Sequence, residues 1–307
     1  MKKINYFEIN KNFISQCEIN YRLSILDNAD DWYLYENKNL LYKNDSLFVY
    51  TDEEILFSNY MTTKQFNILN VTPEIIKQTI LKREYLLCIF DTYYCKYNIN
   101  FLKLHNINTV LIYGFNSNSF YCYLNIGIQG SKTIIIKYEE LMEMFVWDVK
   151  IINRYYKQYN YIGLPYSIVK LKKEKLGYNK NHIITQLKDF YLNEQDNIGI
   201  NGVKKIFNII EELIYKYKQN SYHILSIFER YKDFKIMQLD QCEILELYDV
   251  MKNNNSILKL INYCKIYYAK FLYTNEDKYI EKINIFLEEI KGIEKINKHI
   301  VNSLCGE

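Results

Sequence analysis

Proline is nearly missing from this chain: two in 307 residues, against 32 tyrosines and an abundance of Asn, Lys and Ile. A genome rich in A and T biases codons toward those same residues, so the tyrosines alone are weak evidence for aromatic ligand binding. Paired metal-ligand spacing is missing too. The seven cysteines (Cys17, Cys88, Cys95, Cys122, Cys242, Cys264, Cys305) form no CxxC pair, and the four histidines (His105, His182, His223, His299) form no HxxxH, which argues against a zinc site. No apolar h-region follows Met1 in "KKINYFEINKN", so no signal peptide is expected. No apolar run reaches the roughly 18 residues that a membrane span needs. These absences, with an odd cysteine count, point to a reduced cytoplasmic compartment in which most cysteines are buried small hydrophobes. The net charge of +3 is too small to argue for nucleic acid or an anionic membrane. No aromatic–basic alternation falls on a recognisable nucleic-acid module.

What is there is an ordinary globular balance, 49% hydrophobic and 24% charged, in a chain long enough for one large domain or two smaller ones. The pattern changes near residue 150. Before it come short β-rich runs, "YLLCIFD" (85–91), "TVLIYGF" (109–115), "SFYCYLNI" (119–126) and "KTIIIKY" (132–138). Their apolar residues are nearly continuous, so all four are expected to be central strands with both faces covered. "NSN" between the second and third suits a hairpin turn, and "YEELMEMFVWD" reads as a helix that closes the sheet. After about residue 180 the period is helical: in "GVKKIFNIIEELIYKY" the set Val203, Ile206, Phe207, Ile210, Leu213, Ile214 and Tyr217 follows i, i+3, i+4, i+7. "SILKLINYCKIYYAKFLY" (256–273) and "KYIEKINIFLEEIKGIEKINKHIVNSL" (278–304) repeat it. The expectation is an α+β domain over 1–150, a linker over 151–180 and a helical bundle over 181–307.

In "NFISQCEINYRLSILDNADDWYLY", Cys17 stands just before an apolar pattern of Ile19, Leu23 and Leu26. A helix beginning at Ser15 or Gln16 puts Cys17 in its first turn, where unpaired N–H groups and the macrodipole favour a thiolate. In papain-like enzymes the partner histidine stands at the start of a central strand that commonly reads His, small residue, apolar run, Gly-aromatic. "NTVLIYGF" has that form with Asn108 in the histidine place. The following strand offers Asn125, or Leu124 in the other register, where the acid or amide that orients the histidine would sit. An amide does not titrate near neutral pH, so Asn108 cannot serve as a base. His105 is the nearest substitute, and an offset of three along an extended chain puts it on the face opposite Asn108.

"LLCIFDTYYCKYNINFLKLHNINTVLIYGFNSNSFYCYL" resembles the butirosin biosynthesis protein H N-terminal family, papain-like proteins of bacterial natural-product clusters. Asp91, Tyr93, Tyr94, Lys103, His105, Gly114 and Phe115 match its motif in order and spacing. "FISQCEIN" matches its nucleophile segment, "DDWYLY" the aromatic stretch that follows, and "DNIGINGVKKIFNIIEEL" (196–213) the element that opens its helical half. The resemblance implies a papain-like antiparallel sheet with a nucleophile-type helix, and a Cys-His-Asp/Asn arrangement that moves an acyl group from a carrier-protein thioester to an amine. Only Cys17 carries over with its type intact. The histidine is Asn108, the orienting acid falls at Leu124 or Asn125, and the oxyanion glutamine of some papain-like enzymes falls at Lys11.

Three readings follow. One is a cysteine-dependent acyltransferase or amide-forming enzyme of nonribosomal peptide or polyketide biosynthesis, using Cys17 with His105 as base, no cofactor and no metal. A second is a catalytically inactive papain-like homologue that binds a carrier protein or substrate, with the basic stretch "KLKKEKLGYNKN" (170–181) meeting an acidic partner. A third is an unrelated α+β protein. Oligomeric state is not legible in the sequence.

Overall fold

Three of the apolar runs read as strands hydrogen-bond to one another in sequence order and form the middle of a sheet. The computed structural model describes residues 2–5, 7–8, 17–26, 39–50, 60–65, 71–105, 107–126, 131–145, 166–170 and 180–304. The chain divides into two compact units, Met1–Ala29 with Phe57–Glu174, and Asp30–Leu56 with Lys175–Glu307. It is a mixed α+β protein with an antiparallel sheet in the first unit and a helical bundle in the second.

The first unit contains β1 (Lys3–Ile4), α1 (Cys17–Ile25), β4 (Met61–Gln65), α2 (Pro73–Leu81), β5 (Tyr85–Asp91), β6 (Ile107–Phe115), β7 (Ser119–Asn125), β8 (Ser131–Lys137), α3 (Tyr138–Met144) and β9 (Tyr166–Lys170). The sheet order is β4-β9-β5-β6-β7-β8, and β1 pairs with the far end of β6. Leu86, Cys88 and Phe90 of β5, Val110 and Ile112 of β6, Cys122 and Leu124 of β7, and Ile136 of β8 form one apolar face. Ile76 and Ile80 of α2 and Leu141 and Met144 of α3 cover it. Each such side chain contributes roughly 1.5–3 kcal/mol by leaving water. α2 starts where Thr72 accepts the Ile75 amide on Oγ1 and Pro73 takes the first turn. The β6–β7 hairpin turns on Asn116, whose Oδ1 accepts the amides of Asn118 and Ser119 at 3.0 and 2.8 Å. Gly114 lets β1 approach, because a Cβ there would lie 2.8 Å from the Lys3 carbonyl oxygen.

Two expectations change here. Among the described residues "KTIIIKY" is an edge strand and not a central one: there β8 pairs only with β7, and Ile135 is exposed. Lys132 and Lys137 punctuate that open edge. The segment expected as a linker over 151–180 contains β9, which pairs with both β4 and β5.

The second unit begins with a hairpin, β2 (Asn39–Lys43) and β3 (Ser46–Tyr50), whose turn residues Asn44 and Asp45 both have positive φ, 50° and 58°. That is the type I′ geometry whose twist matches the flanking strands. Residues 39–50, expected in the 1–150 domain, belong with the helices instead. Asn39 donates to Asp189 at 2.7 Å, the Tyr42 amide donates to the Asn197 carbonyl at 2.7 Å, and Arg230 donates to Ser46 Oγ and the Leu47 carbonyl. The helices are α4 (Lys180–Leu192), α5 (Gly199–Asn208), α6 (Ile210–Lys216), α7 (Ser221–Ile244), α8 (Tyr248–Thr274) and α9 (Lys278–Ser303). The periodic run over 202–217 breaks at Ile209 (φ −110°, ψ 8°) into α5 and α6. α8 and α9 form a helical hairpin closed by Asn275 in the left-handed region. Ile257, Ile261, Cys264 and Tyr268 of α8 and Ile283, Leu287 and Ile290 of α9 are buried. No helix among the described residues is long and apolar enough to cross a membrane.

Candidate functional site

Cys17 is the first residue of α1, in the first turn as the sequence suggests; its side chain lies outside the described residues. Two turns of the same helix fix its direction. The Tyr21 hydroxyl donates to the Thr109 carbonyl at 3.0 Å, near the start of β6. The Ser24 carbonyl accepts the Glu8 amide, and the chain just before Glu8 is held to the far end of β6 by Asn5, whose amide donates to the Tyr113 carbonyl. α1 therefore runs against β6, with its first turn toward the end where β6 begins. The four residue steps from Cys17 to Tyr21 span about 6 Å of helix axis.

The face on which α1 lies follows from the pleat. Tyr123 donates to Asn20 Oδ1 at 2.7 Å and meets the Tyr21 ring edge-on, with centroids 5.1 Å apart. Tyr123 is the register partner of Leu111, on the side away from Val110, Cys122 and Leu124. Asn108 is opposite Phe90 on β5, and Phe90 packs into the face covered by α2 and α3. The side chain of Asn108 thus leaves β6 on the face opposite α1. Its Oδ1 accepts the Thr109 amide at 2.8 Å.

Asp91 and Ile107 are the next register pair, and alternation turns them toward the α1 face. There Asp91 meets His105. Imidazole Nδ1 lies 2.7 Å from carboxylate Oδ2, and since a carboxylate only accepts, Nδ1 carries the proton and donates it. That tautomer makes Nε2 the basic nitrogen. The other Asp91 oxygen accepts the Tyr93 amide at 2.9 Å, an Asx-type turn that opens the 3₁₀ turn Thr92–Tyr94 and fixes the carboxylate. The Tyr93 ring stacks on the imidazole at 4.1 Å and 15°, and Tyr94 meets it edge-on at 5.9 Å. His105 is itself solvent-exposed.

Of the residues singled out in the sequence, His105 is therefore joined to Asp91 and the tyrosine pair. Asn125 ends β7 opposite Ser131, with its side chain outside the described residues, and Leu124 is buried opposite Val110. Lys11 and residues 171–179 also lie outside them. Asp91, which closes the strand "YLLCIFD" and stands among the residues that match the family motif, is the functional candidate to which the sequence assigned no catalytic role. The signal was positional: an acid ending one strand, 14 residues before a histidine that leads into the next. Cys88, Cys95, Cys122, Cys242 and Cys264 are free and buried, and burial pushes the Cys242 and Cys264 thiols up to about 12. Burial likewise raises Cys88 and Cys122. No family model and no curated protein matches this chain.

Proposed function

We propose that the first unit is a papain-like thiol acyltransferase or amide-forming enzyme, with Cys17 as nucleophile, His105 as general base and Asp91 as the residue that orients His105. The observation that carries this reading is the 2.7 Å His105–Asp91 contact on the face of the sheet where α1 lies, at the end of β6 toward which the first turn of that helix is directed. His105 Nε2 takes the Cys17 thiol proton, and the thiolate attacks the carbonyl of an acyl thioester. Backbone N–H groups at the start of α1 receive the oxyanion, a contribution of roughly 3–4 kcal/mol per donor in comparable sites. The carrier thiol leaves with the proton from His105. An amine then attacks the Cys17 thioester and gives up a proton to His105, the C–S bond breaks, and the amide leaves with the thiolate regenerated. The substrate class and the natural-product setting rest on the family resemblance, whose usual histidine position is here Asn108. The second reading, a non-catalytic shell that binds a carrier protein, rests on that replacement in the sequence alone, since the Asn108 side chain leaves the sheet on the face away from α1.

Intact-mass labelling with iodoacetamide separates the two. The acyltransferase reading expects Cys17 to alkylate first, ahead of the five buried thiols, and to slow in His105→Ala. Labelling of Cys17 at a rate untouched by His105→Ala, with no acyl adduct from any acyl-CoA, leaves only the shell.

A further inference from the structure

Beside the imidazole the chain places large apolar side chains in solvent. Over residues 94–104, Tyr94, Ile99, Phe101, Leu102 and Leu104 are all exposed, Leu102 at 61% and Leu104 at 57%. This loop is tied down. The Leu102 amide donates to the Tyr93 carbonyl at 3.0 Å, Thr92 Oγ1 to the Leu104 carbonyl at 3.2 Å, and the Leu104 amide to the Asn100 carbonyl at 3.1 Å. The Asn100 amide donates to Asn98 Oδ1 at 2.9 Å, with Asn98 itself buried. Leu102 sits at φ 54°, a conformation that a leucine rarely adopts. Held apolar side chains that a bonded backbone keeps from turning inward mark a recognition surface.

The charges around it point the same way. Lys103 stands between the two leucines. Lys96 is paired with Glu140, and the Asp91 carboxylate beside the imidazole is engaged by His105. The surface next to the base is thus apolar with a positive charge, matched to an apolar chain that carries an anion.

We infer that residues 94–104 are the acyl-chain subsite of the proposed reaction. Leu102, Leu104 and Tyr94 would receive the hydrocarbon of a medium-chain acyl thioester, and Lys103 would face the phosphate of its carrier. The inference rests on the acyltransferase reading for its chemistry but not for its binding. It excludes acetyl and small polar acyl groups as preferred donors.

The test is equilibrium binding of decanoyl-CoA and acetyl-CoA to the full chain bearing Cys17→Ala, which prevents acyl transfer. Decanoyl-CoA should bind at least about tenfold tighter, the equivalent of roughly two methylenes fully buried. Leu102→Asn with Leu104→Ser should abolish that difference; asparagine suits the backbone at 102, so the fold is kept. Lys103→Ala should weaken both ligands and reduce the salt dependence. Equal affinity for the two chain lengths, or a preference unchanged by the double variant, overturns the subsite. If decanoyl-CoA binds as expected but the native chain forms no acyl adduct, the subsite stands and the acyltransferase reading fails. If Cys17 is acylated with no dependence on chain length, the reverse holds.

Discussion

Nδ1 of His105 and Oδ2 of Asp91 lie 2.7 Å apart, although 14 positions separate them in the chain. A contact of this kind holds an imidazole in one tautomer and one orientation, and supports the positive charge that forms when Nε2 takes a proton. Asp91→Ala should therefore slow alkylation of Cys17 at pH 7 by about ten- to a hundredfold, part of the roughly 10²–10⁴ that a positioned base supplies. A rate equal to that of the parent would remove Asp91 from the site.

In the second unit, Lys235 and Glu294 meet at 2.5 Å with side chains 0% and 1% exposed. Tyr191 and Tyr231 donate to the same carboxylate, and Gln238 accepts from the ammonium at 2.8 Å. Removing one partner leaves the other charge without its counter-ion in the interior. Lys235→Met should cost about 3–5 kcal/mol in urea unfolding, and adding Glu294→Leu should restore much of that loss. A single variant as stable as the parent would contradict the buried pair.

His223 reports on the hairpin β2–β3. Its Nε2 lies 2.8 Å from the Asp45 carbonyl oxygen, to which it donates, and its ring stacks on Tyr217 at 3.9 Å. Burial, reinforced by the Arg230 and Lys216 charges, holds its pKa below the ordinary 6.5; the Asp45 carbonyl and carboxylate oppose this. The folded state then binds this proton less readily than the unfolded chain. The associated stability is present above pH 6.5 and is lost as pH falls through the lower folded value. The Asp45 carboxyl is held below its ordinary value by Lys216, so its own contribution is lost only at more acidic pH. The urea midpoint should fall between pH 7 and 5.5, and His223→Gln should flatten that slope. An equal slope in the variant would place the titration elsewhere.

Two glycines make opposite predictions. Gly199 has φ 60°, and a Cβ there would lie 2.3 Å from the Phe190 carbonyl oxygen, so Gly199→Ala should cost at least about 2 kcal/mol. Gly292 lies inside α9 with nothing within 4 Å of a Cβ. Gly292→Ala should add about 0.5–1 kcal/mol. Thermal melts of both variants test the pair.

The sheet's middle was legible because β5, β6 and β7 are neighbours in sequence and in space, and their apolar runs are long. β8 was misread as central on its run Ile134–Ile136, although "KTIIIKY" is less apolar than the others, and its place at the end of the strand order leaves Ile135 in water. β9 escaped notice because it is five residues long and its partners are distant in the chain, and the β2–β3 hairpin because each of its strands is only five residues long. Periodicity also joined α5 and α6, since a backbone break at Ile209 leaves the apolar spacing intact.

Local pattern by itself determined the helix that Cys17 heads, the strands on either side of His105 and the change to a helical half, because side-chain periodicity is a property of neighbouring residues. Only tertiary structure decided which acid faces the imidazole. Strand register puts Asp91 opposite Ile107 and Asn108 opposite Phe90, and the pleat sends these pairs to opposite faces of the sheet.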